Sequence, residues 1–149
     1  MNTCKYSIDD LNVDLKTIVR QIELESYSPE LILSVNRGGC IPGIYLSHYL
    51  KVSHVVVNIQ LRDGDSNKKY FLQKKDFLNK KRVLIVDDIN DTGKTFEEIK
   101  KITTKIDCEI KLCALLDNVQ SSQKIDFRGK SINKSIDPLW YIFPWEDWW

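Results

Sequence analysis

A short run, Arg82-Val83-Leu84-Ile85-Val86-Asp87-Asp88-Ile89-Asn90-Asp91-Thr92-Gly93-Lys94-Thr95, constrains this chain more than any other. Residues 83–86 are continuously apolar and mostly β-branched, which predicts a central strand covered on both faces. Asp87 and Asp88 fall where that strand emerges, the edge at which open α/β sheets bind their ligands. From Asn90 to Thr95 the chain turns through Gly93 into a helical pattern, so free backbone N–H groups converge as they do around a phosphate. One end of the run suits hydroxyls or a metal and the other an anion; a sugar phosphate satisfies both. A nucleotide-triphosphate P-loop is excluded despite the Gly93-Lys94-Thr95 ending, because the glycine it needs five residues earlier is Asp88. A buried strand followed by an acidic helix cap is the plainer alternative. Capping alone, however, requires neither two carboxylates nor a third at Asp91.

The rest of the chain alternates strand and helix. Ser7-Ile8-Asp9-Asp10 resembles a capping box with the shorter Asp in place of Glu. Ile8, Leu11, Leu15, Ile18, Val19 and Ile22 follow at helical spacing. Pro29 breaks the chain before an expected strand over 31–35, then a helix over 42–50 and a strand over 52–61. Beyond the central strand, a helix over 94–106 and a strand over 110–116 are expected. A hairpin around Arg128-Gly129 (124–133) and a last strand over 139–143 complete the pattern. Such alternation predicts an α/β fold, a mostly parallel twisted sheet flanked by helices. A length of 149 residues suits one domain, 1–149.

Composition excludes several classes. A net charge of +1 gives no broad footprint for nucleic acid. Cys4, Cys40, Cys108 and Cys113 form no Cys-x-x-Cys pair, and His48 and His54 are the sole histidines. A zinc site is therefore not expected, and a reduced, cytoplasmic protein is. Neither a signal peptide nor an apolar run of transmembrane length is legible, so no membrane partner is expected.

The run from Val83 to Thr95 resembles the phosphoribosyl-pyrophosphate (PRPP) signature of type I phosphoribosyltransferases. Ile32-Leu33-Ser34-Val35-Asn36-Arg37-Gly38-Gly39-Cys40-Ile41-Pro42-Gly43 resembles the pyrophosphate loop of the xanthine–guanine and related 6-oxopurine members. Trp140-Tyr141-Ile142-Phe143-Pro144-Trp145-Glu146 resembles their purine-recognition segment. The three occur in family order and span most of the chain. The resemblance implies a purine salvage enzyme that transfers the 5-phosphoribosyl group from PRPP to guanine, xanthine or hypoxanthine, with Mg²⁺. It also implies a homo-oligomer, dimer or tetramer. A non-catalytic PRPP- or nucleotide-binding regulator of the same fold is the rival reading, and a pyrimidine or modified-base enzyme is disfavoured by the segment from Trp140 to Glu146.

Residue by residue, the resemblance assigns Asp87 and Asp88 to the ribose hydroxyls, with Asp88 the carboxylate nearest the metal. Asn90, Asp91, Thr92, Gly93, Lys94 and Thr95 would hold the 5′-phosphate, and Asp91 would also take the purine proton. Arg37, Gly38 and Gly39 would receive pyrophosphate, Arg37 as a fork of two hydrogen bonds. Residues 62–75 stand where the family has a mobile catalytic loop, with Lys68, Lys69 and Tyr70 as its candidates. In a base-recognition segment over 117–149, Trp140 would stack on the base, Tyr141 would offer backbone groups and Glu146 would accept from an N–H. The family's lysine after the fourth strand is replaced near that position by Asn118, which can donate to O6 without charge. Cys40 reads as a packed, inert thiol, and Trp148 and Trp149 as a sealing aromatic end or an oligomer surface.

Overall fold

The computed structural model describes residues 2–59, 76–79 and 81–149. Five parallel strands form the main sheet: β2 (Leu31–Asn36), β3 (Ser53–Asn58), β4 (Arg82–Asn90), β5 (Glu109–Asn118) and β6 (Phe127–Ile132), in the order β3-β2-β4-β5-β6. Helices α1 (Ile8–Leu24), α2 (Cys40–Leu50) and α3 (Lys94–Thr103) cover it. A second sheet pairs β1 (Thr3–Lys5) with β7 (Trp140–Ile142), also in parallel.

The continuous apolar run of β4 divides by strand alternation between two cores. Leu84 and Val86 face one core with Ile32, Leu115, Leu11, Ile18 and Ile22 of α1, and Leu46 of α2. Val83 and Ile85 face the other with Leu33, Leu112, and Phe96, Ile99 and Ile102 of α3. Helix α1 starts at the expected capping box: Ser7 Oγ accepts from Asp10 N–H at 3.0 Å, and Asp10 Oδ2 accepts from Ser7 N–H at 2.8 Å. Two such groups closed reciprocally satisfy donors that the first turn leaves free.

From β2 the chain crosses outward to β3, then returns past β2 to begin β4 on its other side. Sequence-adjacent loops therefore diverge between β2 and β4, and a crevice opens at their carboxyl ends. The β2–β4 pairing ends at Ser34 opposite Val86, so Asp87 and Asp88 extend beyond it on β4.

Several expectations change. β4 does not stop at Val86; it runs to Asn90 because β5, itself longer than expected, pairs as far as Asn90 opposite Asp117. Helix α2 begins at Cys40, α3 ends at Thr103, and the strand expected over 52–61 is Ser53–Asn58, with 60 and 61 outside the described residues. The hairpin around Arg128-Gly129 is absent: Phe127–Ile132 is one strand parallel to β5. Gly129 serves packing instead, because a Cβ there would collide with the Asp14 side chain on α1. The strand expected over 139–143 pairs with β1, which lacks a readable pattern, and lies outside the main sheet. No helix among the described residues is long and apolar enough to cross a membrane.

Candidate functional site

The loop leaving β2 lies directly on the end of β4. A Cβ on Gly38 would collide with the Asp88 carboxylate, and one on Gly39 with the carbonyl oxygens of Val86 and Val35. Only glycines allow that approach. The Asn36–Arg37 peptide is cis, and Gly39 N–H donates to Val35 O at 2.9 Å. Arg37 stands exposed at the tip of this loop. The Cys40 thiol is pushed up by burial and by the nearby Asp87 charge, and it donates to Asn36 Oδ1 at 3.4 Å, in keeping with an inert thiol.

Asp87 is buried and Asp88 partly so. Burial, then the Asp88 charge, raises the Asp87 carboxyl well above the ordinary range. Burial likewise pushes Asp88 up to about 6, with Glu146 adding repulsion. Two adjacent carboxylates in a desolvated crevice cannot both ionise comfortably. A cation or a hydroxyl donor would relieve them.

Asp87 to Phe96 line one cavity of about 200 Å³, ten consecutive residues wrapping a single space. Gly93 makes the turn at φ +88°, in the left-handed region that favours glycine, and caps α3, whose first residues, Lys94 to Phe96, line that space. The loop is braced from behind. Asn90 Nδ2 donates to Asp117 Oδ1 and to Gln123 O, both at 2.8 Å, and Asn90 Oδ1 accepts from Ser121 Oγ at 2.8 Å. Thr92 O accepts from Ser122 N–H at 3.1 Å and from its Oγ at 3.0 Å. The Asn90 side chain thus faces inward, and its backbone is what reaches the cavity. Lys94 and Thr92 are exposed, and Thr95 is partly so.

A second cavity of about 190 Å³ is lined by Asp88, Ile89, Asp91, Lys134, Trp140, Tyr141, Phe143 and Glu146. It adjoins the first, since Asp88, Ile89 and Asp91 line both. Its wall is held by aromatic packing: Phe143 stacks on Trp145 at 4.9 Å and meets Tyr6 at 4.9 Å. Glu146 Oε2 accepts from Phe143 N–H at 2.9 Å, which fixes the carboxylate at the pocket's edge. Trp140 keeps 52% of its surface exposed, with the Lys134 ammonium over its ring at 5.8 Å from the centre. Trp148 and Trp149 are exposed, do not line this cavity, and meet edge to face at 5.9 Å.

Asp91 occupies the junction. Its Oδ2 lies 2.7 Å from Lys134 Nζ, while Asn118 Nδ2 donates to both its Oδ1 and its backbone O at 3.2 Å. Asn118, expected at a base edge, is buried and turned toward Asp91 instead. Lys134 and the bracing Ser121 and Ser122 escaped the sequence reading, because they sit in polar connections with no motif of their own. A lysine six residues before Trp140 was the one available signal. Residues 62–75, with Lys68, Lys69 and Tyr70, lie outside the described residues.

Among the described residues no group of three or more carboxylates, histidines or cysteines is arranged to enclose a metal ion. The Asp87–Asp88 pair fits Mg²⁺ in the other way that ion is held, by one or two carboxylates with water and substrate oxygens completing the shell.

The family model for the phosphoribosyl transferase domain matches residues 7–146. A purine phosphoribosyltransferase from Pyrococcus horikoshii is 27% identical, superposes with a TM-score of 0.76, and the match covers 99% of this chain and 96% of that one. A hypothetical protein from Neisseria gonorrhoeae with bound ppGpp gives a TM-score of 0.77 at 21% identity, over 99% and 91%. The xanthine-guanine-hypoxanthine phosphoribosyltransferase of Helicobacter pylori gives 0.74 at 22% identity, over 97% and 92%. The last two likenesses bear on the fold.

Proposed function

The chain belongs to the phosphoribosyltransferase family, and on that premise we propose that it transfers the 5-phosphoribosyl group of PRPP to a 6-oxopurine base. The products would be a nucleoside monophosphate and pyrophosphate, as in purine salvage. The observation that carries this reading is the pair of adjoining cavities meeting at Asp88, Ile89 and Asp91. A ribose spanning that junction has its 5′-phosphate on one side and its reacting carbon facing a base on the other.

The bond from ribose C1 to the pyrophosphate oxygen breaks as the base nitrogen attacks C1. Positive charge then develops on the sugar and negative charge on the leaving group. Asp87 and Asp88 accept hydrogen bonds from the ribose hydroxyls and favour the positive sugar electrostatically. Backbone N–H groups from Asn90 to Thr95, the Thr92 and Thr95 hydroxyls and the α3 dipole hold the 5′-phosphate. Lys94 adds charge there. Arg37 and the backbone of Gly38 and Gly39 receive the departing pyrophosphate. Trp140 stacks on the base, Tyr141 contributes backbone groups, and Glu146 accepts from an N–H or amine at its far edge. Asp91, oriented by Asn118, takes the proton that the base loses. Mg²⁺ held near Asp88 would neutralise charge on PRPP.

Labelled PRPP with Mg²⁺ and a panel of hypoxanthine, guanine, xanthine and adenine tests the reaction. Asp91→Asn should depress kcat far more than calorimetric PRPP affinity, since proton handling matters in the transition state. PRPP binding without transfer to any base would make the protein a sensor rather than an enzyme of salvage.

A further inference from the structure

Helix α1 buries Leu11, Leu15, Ile18 and Ile22, and with them one acid, Asp14, which is 5% exposed. A buried carboxylate costs stability where a leucine would add it. Burial raises the Asp14 carboxyl above its ordinary range, against the pull of the Tyr6 hydroxyl and the Lys130 charge. β6 comes so near that Gly129 has no room for a Cβ beside it, which fixes Asp14 from behind. Its Oδ2 accepts from the Tyr6 hydroxyl at 2.6 Å, in a buried bond.

Tyr6 follows β1 directly and reaches the wall of the second cavity. Its N–H donates to Ile142 O of β7 at 2.9 Å, and its ring meets Phe143 at 4.9 Å. Phe143 lines that cavity and holds the Glu146 carboxylate through its own N–H. The β1–β7 pair is separate from the main sheet. A further cavity of about 300 Å³ is bordered by Tyr6, Asp14 and Tyr141, and Tyr141 borders the second cavity as well. Packing around β7 is thus incomplete, and specific contacts must hold it.

We propose that Tyr6 and Asp14 are positioning residues for the base: their hydrogen bond ties α1 to the wall of the second cavity and sets where Phe143 and Glu146 stand. This rests on the transferase reading, which gives Glu146 the base edge, and adds to it the tie that holds that edge in place. Tyr6 acts through Phe143 and Ile142. Its hydroxyl end is anchored on a helix of the main core, so its ring has one position and Phe143 packs against it there. Without the bond the ring still packs, but Phe143 and the carboxylate on its N–H lose their fixed place. The loop from Asn90 to Thr95 hangs from β4 and is outside this chain of contacts.

Tyr6→Phe keeps the ring and removes the tie. In the transfer assay it should raise KM for hypoxanthine about tenfold, the lower end of what a hydrogen bond to a charged group is worth, with kcat at saturating base little changed. Asp14→Asn keeps an amide oxygen for the hydroxyl and should hold KM near the parent value. Tyr6→Phe with Asp14→Leu leaves no unpaired buried acid and should fold stably, yet keep the raised KM. Calorimetric titrations with inosine 5′-monophosphate and with ribose 5-phosphate need no turnover; Tyr6→Phe should weaken the first and not the second. An unchanged KM in Tyr6→Phe, a KM restored in the double variant, or an equal loss of ribose 5-phosphate affinity overturns the assignment and leaves the transferase reading intact. A parent protein that transfers to no base, with the loss in Tyr6→Phe confined to inosine 5′-monophosphate, upholds the assignment and sinks the transferase reading.

Discussion

Replacing Asp88 by Asn should make the ligand-free protein more stable while ending its use of PRPP. An Asp ordinarily near 3.8 and pushed up to about 6 by burial prefers its neutral form by about 3 kcal/mol in the folded state. Between roughly pH 4 and 6 the folded protein holds a proton that the unfolded chain releases, so stability falls as pH rises through that window. Above it the ionised group lowers stability by up to the full amount. Asn has the shape of the carboxylate, can still accept at its oxygen, and cannot ionise. It also removes the charge that lifts Asp87. A gain of about 2–3 kcal/mol at pH 7 corresponds to a rise of about 6 °C in Tm for a chain of this size. Thermal unfolding by circular dichroism, without PRPP or Mg²⁺, should show that gap at pH 7 to 8 and show it closing as pH falls from 6 to 4. Below about pH 4 both proteins carry a neutral group there and should melt together. A variant no more stable than the parent at pH 7, or a gap that ignores pH, refutes the reasoning. Stability surrendered at a binding site in this way is a usual trade for function.

Two further substitutions test how the loops are seated. Gly39→Ala has no backbone obstacle at φ −69°, yet its Cβ meets the fixed carbonyls of Val86 and Val35. It should lower stability by about 1–3 kcal/mol in urea titration and weaken PRPP binding; an unchanged midpoint would mean that this loop does not rest on β4. Asn90→Ala strips partners from Asp117, Gln123 and Ser121. A loss of about 1–3 kcal/mol is expected, with PRPP affinity falling although the side chain faces away from the cavity, which calorimetry can read.

What the sequence makes legible follows from the range of the forces involved. Residues 83–86 are legible because burial on both faces needs an unbroken apolar run, and the turn through Gly93 because its left-handed backbone is written locally. Gly129 misleads for the opposite reason. Arg-Gly in a polar stretch suggests a turn, yet the absent side chain answers to Asp14, far away on α1. Thr3–Lys5 is too short to show any periodicity, and its pairing with β7 is set by the far end of the sequence. Lys134 finds Asp91 across 43 positions, with nothing on either side to announce it. The first cavity is one continuous stretch, readable as a whole; the second is assembled from several, so Trp140, Tyr141 and Glu146 are readable as a segment while Lys134 is not.

The pairing of β1 with β7 should make the two cavities unequal in how readily they open. Trp140 N–H donates to Asn2 O at 2.9 Å, and Thr3, Cys4 and Lys5 lie opposite Trp140, Tyr141 and Ile142. Closing that contact gathers in a loop of nearly the whole sequence, an entropic burden that a two-stranded sheet of three residues a side repays weakly. The loop from Asn90 to Thr95 hangs instead from β4, which lies at the centre of the main sheet between β2 and β5. Breathing should therefore begin at the wall that carries Trp140 and leave the loop after β4 standing. On the proposed reading, a base would enter through the more easily opened wall while the sugar phosphate stays held.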